Sequence, residues 1–283
     1  MSASMQGAHE GVMRSAGPVP AWIERPPAFG SDPAKPPVVF LHGIGGGKAQ
    51  WPPQLELLAQ RGWRAIAWDM PGYGDSAMPD REFTFAELAA SLVRMLDALT
   101  AERAIVVGHS MGGMVALEAY ARYPGRFAGL VLACTSAAFG SRDGAFQQRF
   151  VEERIAPLDA GLGMSAIAAQ QVPRMMSRDA PQSALGQGIA IMGAVPEPTY
   201  RAALRCLLTF DRREVLGVID TPVLVLAAAS DAQAPPAGME KMASRIPGAE
   251  FVVLPDCAHL ANLERPVAFS EAIAEFIERR CNG

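Results

Sequence analysis

Short apolar runs alternate with longer amphipathic stretches along most of this chain. Val38–Leu41 reads as a strand, Gln54–Arg61 as a helix and Arg64–Trp68 as the next strand. From Thr84 to Thr100, Phe85, Leu88, Leu92, Met95, Leu96 and Leu99 recur at helical spacing. Thr84 is placed to cap that helix, with Glu87 completing the pattern of a capping box. A strand at Ala104–Val107, a helical pattern from Met114 to Tyr120 and a strand at Gly129–Leu132 follow. After a long gap come the strand Val223–Leu226, a helix near Met239–Arg245, the strand Glu250–Leu254 and a helix from about Pro266 to Arg280. Strands apolar at every position suit burial on both faces, and the intervening helices supply the cover. The expected fold is therefore α/β, with a mostly parallel central sheet covered by helices on both faces. Segments near Val12 and at Ala21-Trp22-Ile23 are expected to form an edge hairpin.

The stretch from 137 to 210 breaks this rhythm. It opens on Gly140, Ser141, Asp143 and Gly144, is rich in Ala, Gln and Met, and shows several short helices without a strand-like run. An insertion of this kind is expected to cap the strand ends. The predicted organisation is a core of 1–136 and 211–283, with 1–18 as a flexible leader, and a helical cap of 137–210.

Half of the 283 residues are apolar and the formal charge is −4, so nothing in the charge favours nucleic acid or an anionic membrane as partner. No apolar run approaches the ~18 residues of a membrane span, and Met1–Ala16 lacks the apolar centre of a secretory signal. Cys134, Cys206, Cys257 and Cys281 are scattered, without metal-ligand spacing, and read as free thiols of a cytoplasmic protein. Cys257 lies two residues before a histidine, but without a nearby cationic run it reads as a packed residue rather than a nucleophile.

Ser110 carries the chemistry. It stands in Gly108-His109-Ser110-Met111-Gly112-Gly113, between a buried strand and a helix start, which is the nucleophile-elbow pattern. A serine hydroxyl needs a base, and the base needs an orienting acid. Of four histidines, His9 is in the leader, His42 ends the first central strand, and His109 adjoins the serine and points to the opposite face. His259, past the last strand, is the expected base. Asp231, past Val223–Leu226, is the expected acid, because Asp256 is only three residues from the histidine. Oxyanion donors are expected from the amides of Met111 and of Ile44, the latter in His42-Gly43-Ile44-Gly45-Gly46-Gly47. That loop is not a phosphate cradle, since Gly47-Lys48-Ala49 lacks the hydroxyl that holds magnesium.

Together with Asp69-x-Pro71-Gly72-x-Gly74-x-Ser76 and His259-Leu260-x-Asn262-Leu263-Glu264-x-Pro266, these motifs resemble the α/β-hydrolase superfamily over roughly residues 30–270. Within it the chain looks most like 3-oxoadipate enol-lactonases and related small-ester hydrolases. The resemblance implies a cofactor-free, metal-free hydrolase acting on a small-molecule ester or lactone through an acyl-enzyme. Carbon–carbon bond hydrolases and cofactor-free perhydrolases or haloperoxidases share the elbow and stay as alternatives, as does a non-catalytic binder of the same fold. Ser110 argues against the dehalogenases and epoxide hydrolases, which use an aspartate there. His42, Phe139, Phe146, Phe150, Arg174 and Met175 are the candidate substrate-binding residues, and a Met-rich cap suits an adaptable apolar pocket.

Overall fold

The computed structural model describes residues 17–30, 35–140 and 144–281. The chain begins with β1 (Trp22–Arg25), β2 (Val38–Leu41), α1 (Pro52–Gln60), β3 (Ala65–Trp68), α2 (Phe85–Ala98), β4 (Ala104–His109), α3 (Met111–Arg122) and β5 (Phe127–Ala133). The next four helices, α4 (Ala145–Asp159), α5 (Met164–Gln171), α6 (Gln182–Gly193) and α7 (Glu197–Leu207), fill the span expected to be the cap. The chain closes with β6 (Val223–Ala228), α8 (Pro236–Ala243), β7 (Glu250–Leu254), the short α9 (Ala261–Glu264) and α10 (Pro266–Arg280).

The seven strands form one sheet in the order β1-β3-β2-β4-β5-β6-β7. All pairs are parallel except β1 with β3. Edge strand β1 covers the Trp22-Ile23 segment, while the hairpin partner expected near Val12 lies outside the described residues. Gly17 and Pro18, assigned to the leader by sequence, are held against α2: Arg94 Nε donates to the Pro18 carbonyl at 3.1 Å.

Side-chain alternation divides the core. Val39, Leu41, Val106, Leu130 and Leu132 pack on the face shared with α2 and α3, whereas Val38, Phe40, Ile105, Val107 and Val131 pack on the face shared with α1 and α10. All ten are fully buried, each a side chain whose removal from water is worth roughly 1.5–3 kcal/mol. Only half of the capping box forms. Thr84 Oγ1 accepts the Glu87 amide at 3.2 Å, but the Glu87 carboxylate pairs with the buried guanidinium of Arg94 at 2.6 Å. A buried cation has the stronger demand for that carboxylate than a helix-end amide.

The helical segment between β5 and β6 is closed at its neck by an antiparallel bridge between Ala138 and Asp211, with Phe139 N–H donating to Phe210 O at 3.0 Å and Arg212 N–H to Ala137 O at 2.8 Å. Buried Glu118 on α3 pairs with Arg212 at 2.6 Å and Arg122 at 2.5 Å, tying the neck to the core.

Parallel pairing places the C-terminal ends of β2, β4, β6 and β7 on one side of the sheet. The sheet order reverses between β2 and β4, and at such a switch point the loops diverge and leave a crevice. The loop after β2 and Ser110 after β4 flank that crevice.

Candidate active site

Ser110 joins β4 to α3 with φ 53° and ψ −123°, a conformation that side-chain-bearing residues rarely adopt. The surrounding structure enforces it. Ser110 N–H donates to Ala133 O at 3.0 Å, and its own carbonyl accepts from Thr135 Oγ1 at 2.7 Å and from Gly113 N–H at 2.9 Å. Close packing explains one of the flanking glycines in particular: a Cβ at Gly112 would collide with the Leu41 carbonyl of the neighbouring strand.

The loop after β7 brings His259 to the serine. Its Nε2 is 2.9 Å from Ser110 Oγ, and its Nδ1 is 2.9 Å from Asp231 Oδ2. A carboxylate facing Nδ1 can only accept, so Nδ1 carries the proton and Nε2 is the acceptor for the serine hydroxyl. Asp231 Oδ1 takes the amides of Gln233 at 2.7 Å and Ala234 at 3.0 Å, which aims the other oxygen at the ring. Burial works to raise the carboxyl pKa of Asp231, but the imidazole and the two amides outweigh it and hold the group below its ordinary value. The three residues placed together from sequence do meet at hydrogen-bond distances.

Met111 opens α3, so its amide belongs to the first turn, which has no intrahelical acceptor. The loop after β2 runs directly over the serine: a Cβ at Gly43 would sit 2.9 Å from Ser110 Cβ and 3.3 Å from its Oγ. Ile44 lines the cleft above, and its carbonyl is turned away, accepting from Tyr73 Oη at 2.8 Å.

The cleft encloses about 420 Å³, part of it open to solvent. Of the six residues predicted to bind substrate, only Met175 lines it. His42 is instead fully buried, donating from Nδ1 to the Gly43 carbonyl at 2.8 Å and accepting the Met70 amide on Nε2 at 2.9 Å. It fastens the glycine loop to the turn after β3. Phe139, Phe146 and Phe150 stack on one another, with centroids 4.9–6.0 Å apart, away from the cleft, and Phe146 is 46% exposed. Arg174 is exposed on the one-turn 3-10 helix Val172–Met175 and does not line the cleft. A short turn presents its residues in different directions, which sequence adjacency to Met175 concealed.

The walls missed by sequence reading are Val172, Gly188, Ile191, Met192, Leu260 and Leu263, together with the buried Gln50. Gly188, Ile191 and Met192 share one face of α6, and their i, i+3, i+4 spacing was the available signal. His109 was also underestimated. Its Nε2 donates to the carbonyl of His259 at 2.6 Å, so the elbow's first histidine braces the backbone of the second. Cys257 is buried beside this loop, and burial pushes its thiol up to about 11, leaving it protonated at neutral pH.

Burial lowers the imidazoles of His42 to about 4 and His109 to about 3. Between those values and about 6.5 the unfolded chain binds protons that the folded one excludes, so stability falls as pH is lowered through this window. Each histidine steepens the loss by up to roughly 1.4 kcal/mol per pH unit. Urea unfolding at pH 7.0 and 4.5 should show a clearly lower midpoint at pH 4.5; equal midpoints would contradict the buried, neutral state of both rings.

The match to known families agrees with this architecture. Residues 36–266 fit the model of the alpha/beta hydrolase fold. The chain belongs to the α/β-hydrolase family. A Variovorax paradoxus protein provisionally named carbamate hydrolase RutD is 32% identical over 247 residues, covering 86% of this chain and 91% of that protein. The 3-oxoadipate enol-lactonase 1 of Acinetobacter baylyi is 29% identical, covering 86% and 89%. Among solved structures, a thermophilic esterase from Thermogutta terrifontis superimposes with a TM-score of 0.80 at 29% identity, over 92% of this chain and 93% of that one. Among the described residues no helix is long and apolar enough to cross a membrane.

Proposed function

We propose that this hydrolase cleaves small, uncharged carboxylic esters or lactones through an acyl-enzyme on Ser110. The observation that carries the reading is the unbroken chain from Asp231 to His259 to Ser110, with both hydrogen bonds at 2.9 Å. His259 takes the serine proton as Oγ attacks the acyl carbon, and Asp231 stabilises the imidazolium that forms. The amides of Met111 and Ile44 receive the oxyanion, each worth roughly 3–4 kcal/mol in the transition state. His259 then protonates the departing alkoxide, and water repeats the sequence to release the acid. The segment 137–210 serves as the cap, since α6 and the turn before it supply most of the apolar wall. No cofactor or metal enters this scheme.

The wall also speaks to the substrate. Among the described residues no lysine or arginine lines the cleft, whereas Ile44, Val172, Met175, Ile191, Met192, Leu260 and Leu263 do. A carboxylate-bearing lactone would lose its hydration there without gaining a cation, an unfavourable exchange. We therefore expect neutral esters to be turned over at least about tenfold more efficiently than their carboxylate-bearing analogues, a difference of ~1.4 kcal/mol. The test is a panel of p-nitrophenyl acetate and butyrate, simple five- to seven-membered lactones, a p-nitrophenyl carbamate and an ester with a free carboxylate, alongside labelling by a fluorophosphonate. Ester turnover with covalent labelling supports the proposal; neither turnover nor labelling would mark a non-catalytic binder, and a preference for the anionic ester would overturn the substrate class. A carbamate preferred over every ester would move the assignment toward the activity named for the Variovorax relative.

A further inference from the structure

Glu264 is 2% exposed, lies outside the serine–histidine–aspartate chain, and has no ion-pair partner among the described residues. Its carboxylate nonetheless has three donors. Oε1 accepts the amide of Ala258 at 3.0 Å, and Oε2 accepts both the amide of Ser177 at 3.0 Å and its hydroxyl at 2.5 Å. Ala258 immediately precedes His259. Ser177 follows the turn whose Val172 and Met175 form part of the cleft wall. One buried carboxylate thus joins the loop that carries the imidazole to the segment that contacts the substrate.

The surrounding contacts point the same way. Leu260 N–H donates to Met175 O at 3.4 Å, and the His259 carbonyl is taken by His109. Three successive residues, 258 to 260, are each restrained by a different part of the chain. Removing a charged group from water is costly unless it is well bonded, so a buried carboxylate bonded only to this loop and this wall is committed to holding them in register.

Resting on the esterase reading above, we infer that Glu264 is a positioning residue that couples the seating of the cap wall to the alignment of His259 against Ser110. It touches neither substrate nor reacting atoms, and its bond to Ala258 sets the backbone immediately before His259, so its removal is expected to act mainly on the chemical step. Displacing a reacting group by about 1 Å costs on the order of 10²-fold, and Glu264→Gln is expected to lower kcat for p-nitrophenyl acetate between about ten- and a hundredfold, with KM changed less than about threefold. Glutamine keeps the shape and one acceptor oxygen but cannot accept from both Ala258 and Ser177. Ser177→Ala removes one hydrogen bond to the carboxylate and should lower kcat roughly fivefold, while Ser177→Thr, which keeps the hydroxyl, should restore it.

The experiment measures kcat and KM for wild type, E264Q, S177A, S177T and the S177A/E264Q double variant, with near-ultraviolet circular dichroism as the check on folding. The coupling is supported when kcat falls selectively in E264Q, follows the hydroxyl at 177, and is no lower in the double variant than in E264Q. Wild-type kcat in folded E264Q, equal losses in S177A and S177T, or additive losses in the double variant would each overturn it. Should E264Q fail to fold, the S177A and S177T pair decides by itself. A wild-type protein that neither turns over esters nor reacts with a fluorophosphonate would sink the esterase reading and this inference together; an active wild type with an indifferent Ser177 would sink only the coupling.

Discussion

Replacing Ser110 with alanine is expected to lower kcat/KM for p-nitrophenyl esters by about 10⁴-fold or more, equivalent to ~5.5 kcal/mol of lost transition-state stabilisation. In the proposed mechanism alanine removes the atom that would form the acyl bond and leaves the two proposed oxyanion amides in place, so residual catalysis over water should persist. The backbone at this position has φ 53°, and alanine keeps the same Cβ as serine, so the strain of the turn is unchanged. Thermal unfolding should therefore stay close to wild type while turnover falls to that residual level and fluorophosphonate labelling is lost. Wild-type turnover in a folded Ser110→Ala protein would remove the basis of the proposed mechanism.

Asp231→Asn should cost nearly as much, roughly 10³–10⁴-fold in kcat at neutral pH. The asparagine oxygen can still take the amides of Gln233 and Ala234, which leaves its NH₂ group facing His259 Nδ1. Two donors cannot face each other, so the imidazole moves its proton to Nε2 and presents a hydrogen rather than a lone pair to Ser110. The base is then in the wrong tautomer even though every heavy atom is close to its original place. Loss of kcat in a protein with wild-type circular dichroism is the expected result, and a loss below about tenfold would assign Asp231 a purely structural role.

The readable and unreadable parts of this protein separate by the range of the interactions involved. Glu250–Leu254 and Pro266–Arg280 appear where the sequence placed them, because a short apolar β-branched run and an amphipathic helix announce themselves locally. Elsewhere the type of element was readable and the ends were not: β4 runs on through His109 and α3 begins at Met111, well before the expected Met114. The elbow forces that early start, since Gly108 and Gly112 let strand and helix approach closely enough to join through one strained residue.

The residues of the hydrogen-bonded chain were readable for a related reason. Each follows a recognisable strand, and parallel strands deliver their C-terminal ends to one side. The cleft wall was not. Phe139, Phe146 and Phe150 look like pocket aromatics in sequence, but they find one another instead: three rings within twelve residues pack together and leave Phe146 exposed. His42 resembles a site residue by position, yet its ring is consumed by two backbone bonds.

Sequence alone determined the α/β layering, the strand–Ser110–helix turn and the order in which serine, aspartate and histidine follow their strands, since all three follow from short-range pattern and from the sidedness of a parallel sheet. Only the tertiary structure decided which residues of α6 and of the Val172–Met175 turn face the serine, that His109 and Glu264 restrain the loop of His259, and that among the described residues no lysine or arginine lines the cleft. These depend on how α5, α6 and the intervening turn settle over the strand ends, a packing outcome among many similar apolar side chains that leaves no periodic trace in the chain.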